Sequence, residues 1–140
     1  MISCLNTYIE QSAYALFEQR MYGLEGEALT VEALQALYEE TCLEFGFDSW
    51  AWDSRDFVTV PHFYELPMYV ISYVVSNDLA LQIYRLELEE PGAGLELYDA
   101  ILSSDDTYVM EFAEAYGLDN PLDAERLPAV EEILNEKIDL

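Results

Sequence analysis

One segment decides the fold of this chain: Pro67-Met-Tyr-Val-Ile-Ser-Tyr-Val-Val-Ser-Asn-Asp-Leu-Ala-Leu-Gln-Ile-Tyr-Arg-Leu86. Pro67 suits the first turn of a helix, where its missing N–H costs little. The breakers Pro91-Gly92 follow the segment and stop a helix. The pattern therefore predicts a helix from near Pro67 to about Leu86. Tyr69 and Tyr73 are four residues apart, so they should share one face of this helix.

Helical patterns lie on both sides of this segment. Five further helices are predicted, from about Ile2 to Tyr22, from the N-cap Thr30 to Gly46, from Leu95 to Leu102, from the cap Thr107 to Gly117, and from about Pro128 to the C-terminus. Residues 47–65 are expected to be irregular, and their aromatic side chains, Trp50 and Trp52 among them, must pack or hold a site. The sequence thus predicts an all-α fold, an irregular bundle of about six helices in one domain over residues 1–140.

Composition narrows the class of partner. The chain of 140 residues is 52% hydrophobic and carries eleven Tyr and six Phe, which is enough for a core. Its net charge is −24, with only five basic residues. So acidic a surface repels phosphate, which argues against nucleic acid and anionic membranes as partners. Solubility is the simplest role of the charge.

The cysteines and the N-terminus bear on the compartment. Cys4 and Cys42 form no disulfide framework, so free thiols in a reducing compartment are expected. The N-terminal residues have neither a basic region nor a long apolar region, so no signal peptide is predicted. The apolar run 66–75 is about half the length that spans a bilayer. We therefore expect a cytoplasmic protein with no membrane partner.

The candidate chemistry is concentrated in one constellation. His62 is the only histidine, so no His-Glu-x-x-His site and no metal site are expected within the chain. Tyr69, Tyr73 and Asn77 continue from His62 along the predicted helix. Imidazole N–H and phenol O–H groups are donors that can stabilise an oxyanion. The alternative is structural, because tyrosines at helical spacing are commonly core residues with a satisfied hydroxyl.

The same constellation resembles a known family. Val60-Pro-His-Phe-Tyr64, Pro67-Met-Tyr69 and Tyr73 resemble the Pro-His-Phe-Tyr-x-x-Pro-Phe-Tyr-x-Tyr-x-Tyr segment of the oligoendopeptidase F family of thermolysin-like zinc metallopeptidases. Further collinear similarities are Tyr14-Ala-Leu-Phe-Glu18, Leu29-Thr-Val-Glu-Ala-Leu34, Tyr98-Asp-Ala-Ile-Leu-Ser103 and Gly117-Leu-Asp119. Two departures are Ile71, where the family has its middle tyrosine, and Ser104-Asp-Asp106, where it has Gly-Gly-Ser.

The resemblance implies a role for each residue of the motif. His62, Tyr69 and Tyr73 would bind the backbone of an oligopeptide substrate and stabilise the tetrahedral oxyanion, from one concavity. Tyr64 and Asn77 would contribute to substrate binding. In the family the zinc helix precedes the region matched here, so zinc and its glutamate base would come from residues outside this chain.

Three functional hypotheses follow. In the first, the chain is the C-terminal fragment or split half of a zinc-dependent oligopeptidase, inactive alone, whose partner is a zinc-bearing N-terminal half or a second copy of itself. In the second, it is a non-catalytic peptide- or protein-binding helical module derived from such a peptidase. In the third, the resemblance is superficial, and the chain is an unrelated acidic helical adaptor.

Overall fold

The computed structural model describes residues 2–47, 53–105 and 108–135. This part of the chain is helical and contains no strand. Its α-helices are α1 (Ile2–Tyr22), α2 (Val31–Glu44), α3 (His62–Glu65), α4 (Ile71–Glu89), α5 (Ala93–Leu102), α6 (Val109–Ala115) and α7 (Arg126–Asn135), with short 3₁₀ turns at Gly26–Ala28 and Asp56–Thr59. The prediction of an all-α fold is confirmed, with the short α3 added to the six predicted helices.

The start of the central helix differs from the prediction. The helix begins at Ile71, and residues 66–70 form turns instead. Met68 has a φ of 62°, in the left-handed region, which no α-helix can accommodate. Its backbone N–H donates to the Glu18 carboxylate at 2.6 Å. The prediction that Tyr69 and Tyr73 share a helical face is therefore wrong, because Tyr69 lies before the helix.

The predicted N-cap of α2 and two glycine stops are confirmed, whereas the prediction that residues 47–65 are irregular is wrong in part. The Thr30 hydroxyl accepts the backbone N–H of Ala33 at 3.1 Å and so caps α2, as predicted. Gly46 and Gly117 have positive φ and follow the ends of α2 and α6. Within the stretch predicted to be irregular, residues 56–65 supply a 3₁₀ turn and α3. Trp50, Trp52 and Thr107 lie outside the described residues.

The chain divides into two compact units, Leu5–Val74 and Met1–Cys4 with Val75–Leu140. We call them the 5–74 unit and the 75–140 unit. That residues 1–140 form a single domain stays a prediction. Cys4 and Cys42 are both free thiols. Among the described residues no helix is long and apolar enough to cross a membrane.

An aromatic core holds the 5–74 unit together. Phe17 lies at its centre, with ring centroids 5.0 Å from Tyr38, 5.2 Å from Phe63 and 5.5 Å from Phe57. Such pairs add about 0.5–1.5 kcal/mol each beyond the burial of their area. The buried cluster comprises Phe17, Met21, Tyr38, Cys42, Phe57, Phe63 and Val70. It therefore ties α1 and α2 to the segment that enters α4.

The 75–140 unit has a smaller apolar interior. Leu81, Ala113, Val130 and Ile133 are buried within this unit. Gly94 of α5 lies so close to α4 that an added Cβ would come within 2.6 Å of the Ile83 carbonyl oxygen. The absence of a side chain there allows the two helices to approach.

Candidate functional site

His62, Tyr69 and Tyr73 form one cluster on the 5–74 unit, which we call the His–Tyr cluster. The Tyr69 ring stacks on the His62 ring with centroids 5.5 Å apart and an interplanar angle of 10°. The Tyr73 ring meets both edge-on, at 5.7 Å from His62 and 5.6 Å from Tyr69. The Tyr73 hydroxyl oxygen lies 3.2 Å from Nε2 of His62. The three predicted residues are thus brought together, by a turn and a helix instead of by a helical face.

Buried neighbours hold the cluster in place. His62 begins α3, where the Pro61 carbonyl accepts the N–H groups of two residues in that turn. The next residue, Phe63, is buried in the core, and Val70 is buried directly after Tyr69. The Tyr22 hydroxyl of α1 donates to the Phe63 carbonyl at 2.7 Å. Both ends of the segment are therefore anchored, and the cluster lies between these anchors.

The cluster side chains are at the surface and not in the core. Tyr69 is 44% and Tyr73 37% exposed, and His62 is partly exposed. Burial therefore does not account for these tyrosines, which weakens the structural alternative. That they line a concavity stays a prediction.

The hydroxyl–imidazole contact allows two proton arrangements. In one, the Tyr73 O–H donates to Nε2 of His62, and the proton of the imidazole is on Nδ1. In the other, Nε2–H donates to the Tyr73 oxygen, and the imidazole carries its proton on Nε2. In the described part of the chain, the Tyr69 hydroxyl and His62 Nδ1 make no hydrogen bond. The cluster can thus present two polar groups to a ligand, the Tyr69 hydroxyl and His62 Nδ1.

The two predicted substrate-binding residues are placed differently. The Tyr64 ring packs edge-on against Phe63, and its hydroxyl lies 3.5 Å from the Phe57 carbonyl, at the limit of a hydrogen bond. Partial burial raises the pKa of Tyr64. Asn77 belongs to the 75–140 unit, and its side-chain amide donates to the Cys4 carbonyl at 3.1 Å. That amide nitrogen is engaged within the fold, and a role in substrate binding stays a prediction.

Sequence reasoning missed a buried ion cluster in the 75–140 unit. Asp78 of α4 is fully buried and accepts from Nε and Nη2 of the nearly buried Arg126, at 3.3 and 3.1 Å. Arg126 Nη1 donates to Asp119 at 3.0 Å, and the Gln82 amide donates to Asp78 at 2.6 Å. The sequence contains one signal for this cluster: Asp78 lies within an apolar helix, and a buried aspartate needs one of the five basic residues as a partner. The Arg126 guanidinium is bonded to these two carboxylates within the fold, so we infer that the cluster stabilises the unit.

The residues that the structure describes do not form a zinc site. His62 is the only imidazole, and its Nε2 faces the Tyr73 hydroxyl. Among the described residues no three His, Cys, Asp or Glu side chains are grouped to hold a metal. A catalytic zinc has three protein ligands as a rule.

Comparisons with known proteins identify no relative: no family model, no curated protein and no solved structure matches this chain.

Proposed function

We propose that the His–Tyr cluster binds the backbone of an extended oligopeptide, and that the chain is the substrate-binding part of a zinc-dependent oligopeptidase. The observation that carries this proposal is the contact of one imidazole and two phenol rings at the surface of the 5–74 unit. Peptide carbonyl oxygens accept hydrogen bonds, and the Tyr69 and Tyr73 hydroxyls can donate them. The similarity of residues 60–73 to the oligoendopeptidase F motif also supports it.

The role of each group follows from its position. In the arrangement in which Nε2–H of His62 donates to the Tyr73 oxygen, the Tyr73 hydroxyl is a donor whose hydrogen bond a substrate oxygen can accept. As negative charge develops on the substrate oxygen, the hydrogen bond that it accepts from Tyr73 strengthens. Tyr69 stacks on the imidazole, which fixes the plane of the ring. In the complete enzyme that we propose, zinc would activate the attacking water, and its ligands would come from residues outside these 140.

The first test is peptide binding by the chain as it is. A pool of acetylated, amidated octapeptides with randomised uncharged residues is titrated into the protein and followed by NMR. We expect His62→Ala, Tyr69→Phe and Tyr73→Phe each to weaken binding about tenfold, the loss of about 1.4 kcal/mol. Tyr98→Phe is the matched control, because Tyr98 is an exposed tyrosine of the 75–140 unit. Equal affinities in all variants would refute the proposal.

The second test separates catalysis from binding. The chain is mixed with a zinc-bearing His-Glu-x-x-His segment of an oligoendopeptidase F enzyme, and peptide cleavage is measured. Loss of one oxyanion donor lowers a rate by about 10²–10³, so we expect Tyr73→Phe to have that effect. The same substitution should change the melting temperature little, because Tyr73 is exposed.

A non-catalytic peptide-binding module is the second candidate. Leu66, Met68 and Ile71 are exposed apolar side chains within the twelve residues, 62–73, that contain the cluster. Exposed apolar groups beside polar donors are typical of a surface that binds a partner. Peptide binding that depends on His62, without cleavage in the mixture, would favour this candidate.

A further inference from the structure

Glu18 is a buried carboxylate that ordinary packing does not explain. It lies on α1 in the 5–74 unit and is 0% exposed. Its Oε1 accepts the backbone N–H of Met68 at 2.6 Å, across 50 residues of chain. Its Oε2 is buried and has no hydrogen-bond partner among the described residues. A buried polar atom without a partner is costly. The hydrogen bond to Met68 is a contribution that an apolar side chain at this position could not make.

The contact is made at the one described non-glycine residue with positive φ. Met68 has a φ of 62°, a conformation that is uncommon outside glycine. Its N–H is fixed by Glu18, and the next residue is Tyr69, whose ring stacks on His62. Two residues later α4 begins, and it carries Tyr73. Glu18 therefore acts on the backbone at the point where the direction of the Tyr69 side chain is set.

We propose that Glu18 is a positioning residue for the His–Tyr cluster. Through the Met68 N–H it holds the 66–70 turn in the form that stacks Tyr69 on His62. Glu18 is buried, so it acts through the turn and makes no contact with a ligand at the surface. The inference rests on the proposed function, because it assigns Glu18 an effect on the affinity of the cluster for a peptide.

The test uses two substitutions of nearly equal size. Glu18→Gln keeps a side-chain oxygen that can accept the Met68 N–H, whereas Glu18→Met fills the volume without an acceptor. Cys42→Ala is the control, since Cys42 is buried in the same core but belongs to α2 and not to the turn. His62 is the only histidine, so its imidazole NMR signals need no assignment by mutation.

We expect Glu18→Gln to leave the His62 ring-proton shifts unchanged and the Kd for the octapeptide pool within about twofold. Glu18→Met should move those shifts toward the values of free histidine, because the ring current of Tyr69 is lost, and should raise the Kd about tenfold. Cys42→Ala should lower the urea midpoint and leave the His62 ring-proton shifts and the Kd unchanged. Should Glu18→Met fail to fold, Glu18→Asp replaces it, because the shorter side chain retracts the acceptor from Met68.

The remaining outcomes separate this inference from the proposed function. If Glu18→Met, or Glu18→Asp in its place, leaves the His62 shifts and the Kd unchanged, the inference is overturned. It is also overturned if Cys42→Ala destabilises the protein as much as Glu18→Met and moves the His62 shifts as far, because a loss of stability alone would then explain the shifts. If the shifts move as expected while neither Glu18→Met nor His62→Ala changes the Kd, the positioning role stands and the proposed function fails.

Discussion

At the scale of single residues, Met68 offers the sharpest test of local conformation. Its left-handed φ of 62° costs a non-glycine residue roughly 1–2 kcal/mol, whereas glycine adopts it readily. The Met68 side chain is about half exposed, so its removal costs little packing. We expect Met68→Gly to be more stable than Met68→Ala by roughly 1 kcal/mol. Urea unfolding of the two variants checks this, and a less stable glycine variant would contradict the backbone geometry.

The thiol and phenol groups in the core of the 5–74 unit predict that the stability of the protein changes at alkaline pH. Burial raises the pKa of Cys42 from 9.0 to about 11 and that of Tyr14 from 10.0 to about 12, and it also raises the pKa of Tyr38. Above pH 9 the unfolded chain releases protons that the native state retains, so the free energy of unfolding falls as pH rises. The contribution is complete below pH 9 and is lost progressively toward pH 12.

Urea midpoints between about pH 8 and pH 11 measure this effect. We expect the midpoint to decrease across this range in the native sequence. The double variant Cys42→Ala and Tyr14→Phe lacks two of the groups, so its midpoint should decrease less steeply. Identical slopes for the two proteins would show that these groups are not the origin of the effect.

At the scale of helices, Gly94 tests how closely α5 approaches α4. A Cβ at this position would come within 2.6 Å of the Ile83 carbonyl oxygen and of the Glu87 Cβ. Because one of these atoms belongs to the backbone of α4, the helices must separate. We expect Gly94→Ala to destabilise the protein by about 1–3 kcal/mol, despite the better helix propensity of alanine. Gly23→Ala is the milder comparison and should cost less, since its nearest atom, the Arg20 carbonyl oxygen, would be at 3.3 Å. Equal unfolding midpoints would contradict the close approach.

The same scale shows which helix boundaries the sequence can predict. The Thr30 cap depends on a residue three positions away, so a local pattern was sufficient to find it. The start of α4 depends on Glu18, which is 50 residues distant from Met68. Pro67 is compatible with a helix, and only this tertiary contact shows that the chain turns instead. The helix that the sequence did not predict, α3, has only four residues, which is too short to show a helical period of apolar residues.

At the scale of the whole molecule, the buried pair of Asp78 and Arg126 joins α4 to α7. Removing one partner leaves an uncompensated buried charge, which costs about 3–5 kcal/mol. We expect Asp78→Leu and Arg126→Met each to cost about this much, and the double variant to cost less than either. Asp119→Ala is the control, because the Asp119 side chain is 72% exposed and should contribute less than about 1 kcal/mol. Additive single effects in urea unfolding would contradict the pairing.

The sequence predicts which residues meet in the His–Tyr cluster but not how the chain brings them together. A motif within twelve residues of sequence named His62, Tyr69 and Tyr73, and the structure places them in contact. The turn that brings them together and the carboxylate of Glu18 beneath it depend on packing between α1 and this segment, which no local pattern encodes. Asn77 is predicted from its spacing along the helix, which cannot show that its side-chain amide donates to the Cys4 carbonyl, 73 residues away. The zinc-bearing partner and self-association stay predictions.

The contact between α4 and α5 has a consequence for the route of folding. Glu87 accepts the N–H groups of Gly92 and Leu95, which are five and eight residues away, and Gly94 packs on the same turn of α4. Contacts of such short sequence separation close small loops and form early, whereas Asp78 and Arg126 are 48 residues apart. We expect Gly94→Ala to slow refolding and Arg126→Met mainly to speed unfolding, in stopped-flow kinetics. The helical hairpin would then be the nucleus on which the rest of its unit condenses.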